Sequence, residues 1–271
     1  MLYNKPQDFM KLAIVTGVNG ALGSAYLAQL AAYRNIQCVG ISRSQVNDKI
    51  SDVTYIDRVD LLDAEAVRRK IDREVPFSNS QEVIFVHPVG RFKFEENKAP
   101  EGDLNGDGID DEVFNSNVRT FENVEKPLID SSQQCGTVNE IVLCGFGSVS
   151  DKYKVPYWKS YSLSKDQLRM DIAGKARKGG HGLRYRGIFV NVSSVNTGNE
   201  NKLRPNADTT NWLQAEEIVD DTIQLLTREG RIRNLEVDIF KPIPQFDPDV
   251  YYSEDEVWKR WMREMGREEY L

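Results

Sequence analysis

Tyr161 and Lys165 stand four residues apart in the run Tyr161-Ser162-Leu163-Ser164-Lys165. On a helix, that interval places a phenol and an ammonium on one face, one turn apart. An ordinary tyrosine has a pKa near ~10 and exchanges protons poorly at neutral pH. A neighbouring lysine charge favours the phenolate, so the pair can give up or take up a proton on a reacting oxygen. Such pairs are common by chance, and context decides what this one means. Ser148 lies thirteen residues before Tyr161, just beyond an apolar run read as a strand ending at Cys144, and Asn117 lies on the helix before that strand. Ser150 competes with Ser148 for the hydroxyl role, and Asn115 and Ser116 crowd Asn117.

A second constellation sits at the other end of the chain. The first apolar run is followed by Thr16-Gly17-Val18-Asn19-Gly20-Ala21-Leu22-Gly23, and a helix begins within it. Gly17, Gly20 and Gly23, with Asn19 and Leu22 between them, suit a tight turn whose backbone amides approach a pyrophosphate at the helix N-terminus. The next strand ends in Ser42-Arg43, with no carboxylate where a dinucleotide's ribose hydroxyls are usually held. The Arg43 guanidinium suits a 2′-phosphate instead, which points to NADP(H). Asp60 and Leu61 follow the third strand in VDLLD; Asp60 either accepts from an adenine amino group or caps a helix.

Short β-rich runs alternating with helical patterns are what position these groups. KLAIVTG, IQCVGIS, EVIFVHPVG, NEIVLCGFG, FVNVSSVN and LEVDIF read as strands, separated by helices near 22–33, 64–74, 111–131, 162–175 and 214–227. Strand and helix in alternation mean parallel βαβ units. The expectation is one α/β domain over residues 1–271, a doubly wound Rossmann-type fold with a seven-stranded parallel sheet and helices on both faces. Two polar segments, 91–110 and 197–211, interrupt the rhythm beyond strand ends, where α/β proteins keep their ligand loops. Residues 103–112 resemble the start of a calcium loop, but the twelfth position is Phe114 rather than a bidentate Glu, so a turn-rich loop without metal is expected. Ser253 and Glu256 read as a capping box opening an amphipathic helix near 253–266, with Val257, Trp258, Trp261, Met262 and Met265 as its apolar stripe. That helix packs on its own domain or a neighbouring subunit, or serves as a lid.

The balance of 35 Lys+Arg against 42 Asp+Glu, net −7, leaves no electrostatic footprint for nucleic acid or an anionic membrane. Leu12 to Val15 is too short an apolar run for a signal peptide or a membrane span, which leads to a cytoplasmic expectation. Cys38, Cys135 and Cys144 lack metal-ligand spacing and read as reduced thiols.

Taken in order, TGVNGALG, Asn117, Ser148 and YSLSK resemble the pattern of the compact, non-extended branch of the short-chain dehydrogenase/reductase family, over roughly residues 10–240. The resemblance implies an NADP(H)-dependent carbonyl reductase or alcohol dehydrogenase acting on a small molecule, as a homodimer or homotetramer. Tyr161 would then donate the proton while Ser148 holds the same substrate oxygen. Lys165 would hold the nicotinamide ribose and lower the Tyr161 pKa, and Asn117 would orient a water that feeds Lys165. Where the family usually has Asn-Asn-Ala-Gly, this chain has His87-Pro88-Val89-Gly90. Gly90 survives at the nicotinamide side, and His87 either contacts the cofactor or serves the strand. The family's Pro-Gly after the sixth strand is missing, leaving Thr197 to contact the carboxamide. The alternative function is a non-catalytic NADPH-binding regulator with the same site left vestigial.

Overall fold

A computed structural model describes residues 10–96, 100–180, 182–229, 232–241 and 247–271. Parts of the expected 91–110 loop and of the 1–271 span therefore lie outside the described residues. The strands are β1 (Met10–Thr16), β2 (Ile36–Ile41), β3 (Val53–Ile56), β4 (Ser80–His87), β5 (Glu140–Ser148), β6 (Arg184–Val192) and β7 (Asn234–Ile239). The helices are α1 (Ala21–Ala31), α2 (Ala64–Glu74), α3 (Asp111–Phe114), α4 (Thr120–Cys135), α5 (Val149–Lys152), α6 (Lys159–Lys178), α7 (Gly198–Leu203), α8 (Ala215–Thr227), α9 (Pro248–Tyr251) and α10 (Glu254–Glu264).

The seven strands form one parallel sheet in the order β3-β2-β1-β4-β5-β6-β7. The first strand lies in mid-sheet, the next two run outwards to β3, and β4 then lies on the other side of β1. The crevice at that reversal, outside the carboxyl ends of β1 and β4, is where such sheets bind ligands. The central strands are apolar almost throughout because helices cover both faces. Leu12 and Ile14 of β1 pack with Phe121, Leu128, Leu168 and Ile172 on one side. Their neighbours Ala13 and Val15 pack with Tyr26, Leu30, Ile218 and Leu226 on the other.

Four local expectations are corrected. The helix expected over 111–131 is α3, a π-helical turn (Asn115–Arg119) and α4, so the hydrogen-bond ladder is offset at Asn117. β5 runs on to Ser148 instead of ending at Cys144. Asp60 is not the helix cap: Asp63 caps α2, and Asp60 accepts from Leu62 N in a local turn. The Ser253 and Glu256 capping box does not form, because the Ser253 hydroxyl turns back to donate to Val250 O. Among the described residues no helix is long and apolar enough to cross a membrane.

Candidate active site

Tyr161 and Lys165 lie in the first two turns of α6, whose start is fixed from outside the helix. Trp158 at its N-cap offers no side-chain bond. The buried Glu95 of the loop after β4 supplies one, accepting from Lys159 N at 3.0 Å and Ser160 N at 3.1 Å. A carboxylate there answers free amides and the positive end of the helix together. Lys165 Nζ stands 5.3 Å from the Tyr161 ring centroid.

Gly90 is where the site converges. A Cβ built on it would lie 2.4 Å from Asn117 Oδ1 and 3.1 Å from Lys165 Nζ, so any other residue would push both groups away. Asn117 is fully buried and donates its Nδ2 to Arg91 O and Val113 O, both at 2.8 Å. Its Oδ1 is buried with no hydrogen-bond partner among the described residues. Lys165 is 4% exposed and, among the described residues, has no carboxylate or carbonyl answering it. Burial without an anion pushes its ammonium down to about 7.

Ser148 is the last residue of β5 and the N-cap of α5. Its Oγ accepts from Ser150 N at 3.2 Å, and Asp151 accepts from Ser148 N at 2.9 Å. A hydrogen bond from Ser148 also reaches the Tyr161 oxygen, whereas Ser150 is fully buried with its hydroxyl unpartnered. The expected lowering of the Tyr161 pKa by Lys165 is not found. Desolvation and the nearby Glu200 charge raise it, and only the Ser148 bond opposes them.

At the Gly-rich turn, Gly17 adopts φ +64°, and a Cβ on Gly23 would stand 2.3 Å from Gly17 O. The turn therefore requires glycine at both positions. α1 begins at Ala21 with no side-chain cap and no acid in its first turn, leaving its amides to a ligand. Asn19 Nδ2 donates to Ser42 Oγ at 2.9 Å, Ser44 Oγ at 2.8 Å and Gln45 O at 3.2 Å. That fan ties the turn to the segment after β2, where Arg43 is exposed. Leu22 packs at the edge of one core, Leu61 lies in the other, and Asp60 is exposed.

Two expected contacts are already engaged elsewhere. His87 is 1% exposed, with Nδ1 2.9 Å from Thr16 Oγ1 and Nε2 3.1 Å from Thr120 Oγ1. Its ring belongs to the core beneath the site, and burial with the Lys165 charge lowers its pKa to about 3. The reading of His87 as a cofactor contact is corrected accordingly. Thr197 caps α7, accepting from Glu200 N at 3.2 Å. In the 103–112 loop, Asp103 accepts from the amides of Gly106, Asp107 and Gly108, and among the described residues no cluster of metal-ligating side chains forms.

Glu95, Ser44, Asp151 and Glu200 were not read from the sequence. Only Asp151 carries a local signal there, since Ser148 followed by an acid three positions on is itself a capping pattern.

No protein-family model matches the chain, and no curated protein matches it by sequence. Its fold is that of the short-chain dehydrogenases/reductases. It is similar to the aldohexose dehydrogenase of Thermoplasma acidophilum, with 16% identity over 89% of this chain and 98% of that one, at TM-score 0.67. A 4-hydroxyisoleucine dehydrogenase solved with NADH has 16% identity over 88% and 100%, at TM-score 0.63. An alcohol dehydrogenase from the archaeon Thermococcus sibiricus, solved with 5-hydroxy-NADP, has 19% identity over 88% and 100%, at TM-score 0.62.

Proposed function

We propose that the chain belongs to the short-chain dehydrogenase/reductase family and is an NADP(H)-dependent oxidoreductase that reduces a carbonyl compound or oxidises the matching alcohol. The observation that carries this reading is the pair of unanswered groups at Gly90: the Lys165 ammonium and Asn117 Oδ1, both buried, both facing a residue that must lack a side chain. Buried polar groups are ordinarily satisfied, and those that are not point to a missing partner. A ribose hydroxyl, which accepts from an ammonium, fits Lys165, and a water beside it, which donates to an amide oxygen, fits Asn117 Oδ1.

NADPH, when bound, supplies the hydride. Tyr161 gives its phenolic proton to the substrate oxygen, and Ser148 donates to the same oxygen as charge develops there. Lys165 holds the ribose and, once charged, stabilises the phenolate left behind. Asn117 positions a water that returns the proton. The uncapped amides at the start of α1 would take the pyrophosphate, while the Gly20 amide closes the turn on Gly17 O at 2.8 Å. Arg43 takes the 2′-phosphate, with Ser42 and Ser44 held beside it by Asn19. We take residues 1–271 as one catalytic domain, cytoplasmic and assembled as a homodimer or homotetramer.

Tyr161→Phe tests the mechanism. Turnover with NADPH over a panel of carbonyl compounds should fall about 10³-fold, within the usual range for a lost acid, while NADPH affinity is kept. Near-full turnover in a folded variant contradicts the acid role. NADPH binding without turnover of any carbonyl by the unmodified chain would assign it to the regulators.

A further inference from the structure

Ser148 is held from two directions, and both lead back to the helix that carries Tyr161. Its hydroxyl bonds the Tyr161 oxygen. Its amide donates to Asp151 Oδ1 at 2.9 Å. The other oxygen of Asp151 pairs with Arg169 Nη2, and Arg169 stands four residues beyond Lys165 on α6. Tyr161, Lys165 and Arg169 thus follow one another at one-turn intervals along one face of that helix. Tyr161, Ser148, Asp151 and Arg169 form a closed ring of contacts that begins and ends on α6.

The weak point of the ring is its carboxylate. The Asp151 side chain is fully buried, and among the described residues Arg169 is the one cation paired with it. A buried carboxylate that loses its cation is strongly unfavourable. The guanidinium is itself placed by β6, lying 4.9 Å over the Phe189 ring with Nη2 3.3 Å from Asn191 Oδ1. Glu236 of β7 lies 3.1 Å from its Nε. Phe189 and Asn191 also press on the strand end that bears Ser148: a Cβ on Gly147 would stand 2.2 Å from Asn191 Oδ1 and 2.4 Å from Phe189 Cε1. An ion pair that merely braced α6 on the sheet would not involve Ser148. Here the same carboxylate that answers Arg169 holds the serine amide.

We propose that Arg169 is a positioning residue for the reaction: through Asp151 it keeps Ser148 where its hydroxyl and that of Tyr161 can hold one substrate oxygen. This rests on the oxidoreductase reading and adds a residue that touches neither substrate nor cofactor. Without Arg169, Asp151 turns towards water, the Ser148 amide loses its acceptor, and the serine drifts from Tyr161. A misplacement of about 1 Å can cost about 10²-fold in rate.

The test is Arg169→Met, with Arg169→Lys as the conservative variant and thermal melting to check folding. Amide hydrogen exchange over residues 146–152, read by mass spectrometry on the free chain, needs no substrate. It should quicken at least about ten-fold in Arg169→Met, as for one lost hydrogen bond, while residues 10–16 stay unchanged. Turnover is followed with NADPH and whichever of butanedione, benzaldehyde and glyceraldehyde the unmodified chain reduces fastest. In Arg169→Met kcat should fall about 10- to 100-fold, with KM for NADPH changed by less than about two-fold. Arg169→Lys keeps a cation for Asp151 and should fall between Arg169→Met and the unmodified chain in both readouts. Added to Ser148→Ala, Arg169→Met should cost less than about two-fold more in kcat, because it acts through the serine. If Arg169→Met does not fold, Arg169→Gln carries the same comparisons. Unchanged kcat, or a full further loss on the Ser148→Ala background, overturns the proposal. Quickened exchange without reduction of any of the three carbonyls by the unmodified chain counts against the oxidoreductase reading and leaves the hold on Ser148 standing. Turnover with unchanged exchange does the opposite.

Discussion

The two ends of the sheet both bury charge, and they treat it differently. At the amino end, Arg186 of β6 is paired with Glu82 at 3.3 Å and Glu140 at 3.0 Å, and donates to the carbonyls of Leu225, Leu226 and Arg228. Those carbonyls end α8, where a helix presents its negative pole. Lys11 adds a bond to Glu82 at 3.1 Å and one to Thr227 O at 2.7 Å. At the carboxyl end, Lys165 is as deeply buried but answered by no anion, and Asn117 Oδ1 stands unpaired close to it. In the first arrangement every buried charge has an opposite charge within reach, and it holds the strands together. The second is complete only with something bound, and this contrast singles out the ligand end without reference to any motif.

The comparison is sharpened most by breaking the completed end. Arg186→Met leaves Glu82 and Glu140 without their shared cation, and removal of one partner from a buried ionic cluster costs about 3–5 kcal/mol. Denaturant unfolding should show that loss while NADPH affinity stays unchanged. A matching drop in affinity would mean that the two ends are not independent.

Lys165→Met should do the reverse, abolishing cofactor binding while stabilising the chain. The Lys165 pKa of about 7 in the folded chain lies below the ordinary 10.5, so the unfolded chain holds more protons between those values. Stability therefore rises with pH across that window, and the penalty is fully present below about 7. Thermal melting should show Lys165→Met gaining most at pH 6 and little above pH 10. A variant less stable than the unmodified chain at pH 6 would show that Lys165 is already satisfied.

Much of this was legible in the sequence because the signals are local. The seven-stranded parallel sheet with helices on both faces followed from alternation, since short apolar runs separated by helices make βαβ units. The Gly17, Gly20 and Gly23 turn and the Tyr161 and Lys165 spacing are set by backbone geometry within a few residues. What stayed hidden depends on contacts between distant segments. His87 could be read as a ligand contact until Thr16 and Thr120 were seen to engage both ring nitrogens, from 71 and 33 residues away. Glu95 caps a helix 64 residues further on, and Phe92 meets a tryptophan of α10. The Tyr161 pKa was misjudged for the same reason: desolvation is a property of the packed site, not of the spacing between two residues.

The central claim is that the unanswered groups at Gly90 await a nicotinamide nucleotide, and NADPH titration of the unmodified chain between about pH 6 and 9 addresses it most directly. One NADPH should bind per chain, more tightly than NADH. Because binding restores the proton to Lys165, affinity should fall as pH rises above about 7. Absence of saturable binding at millimolar NADPH, or binding indifferent to pH across that range, would contradict the account.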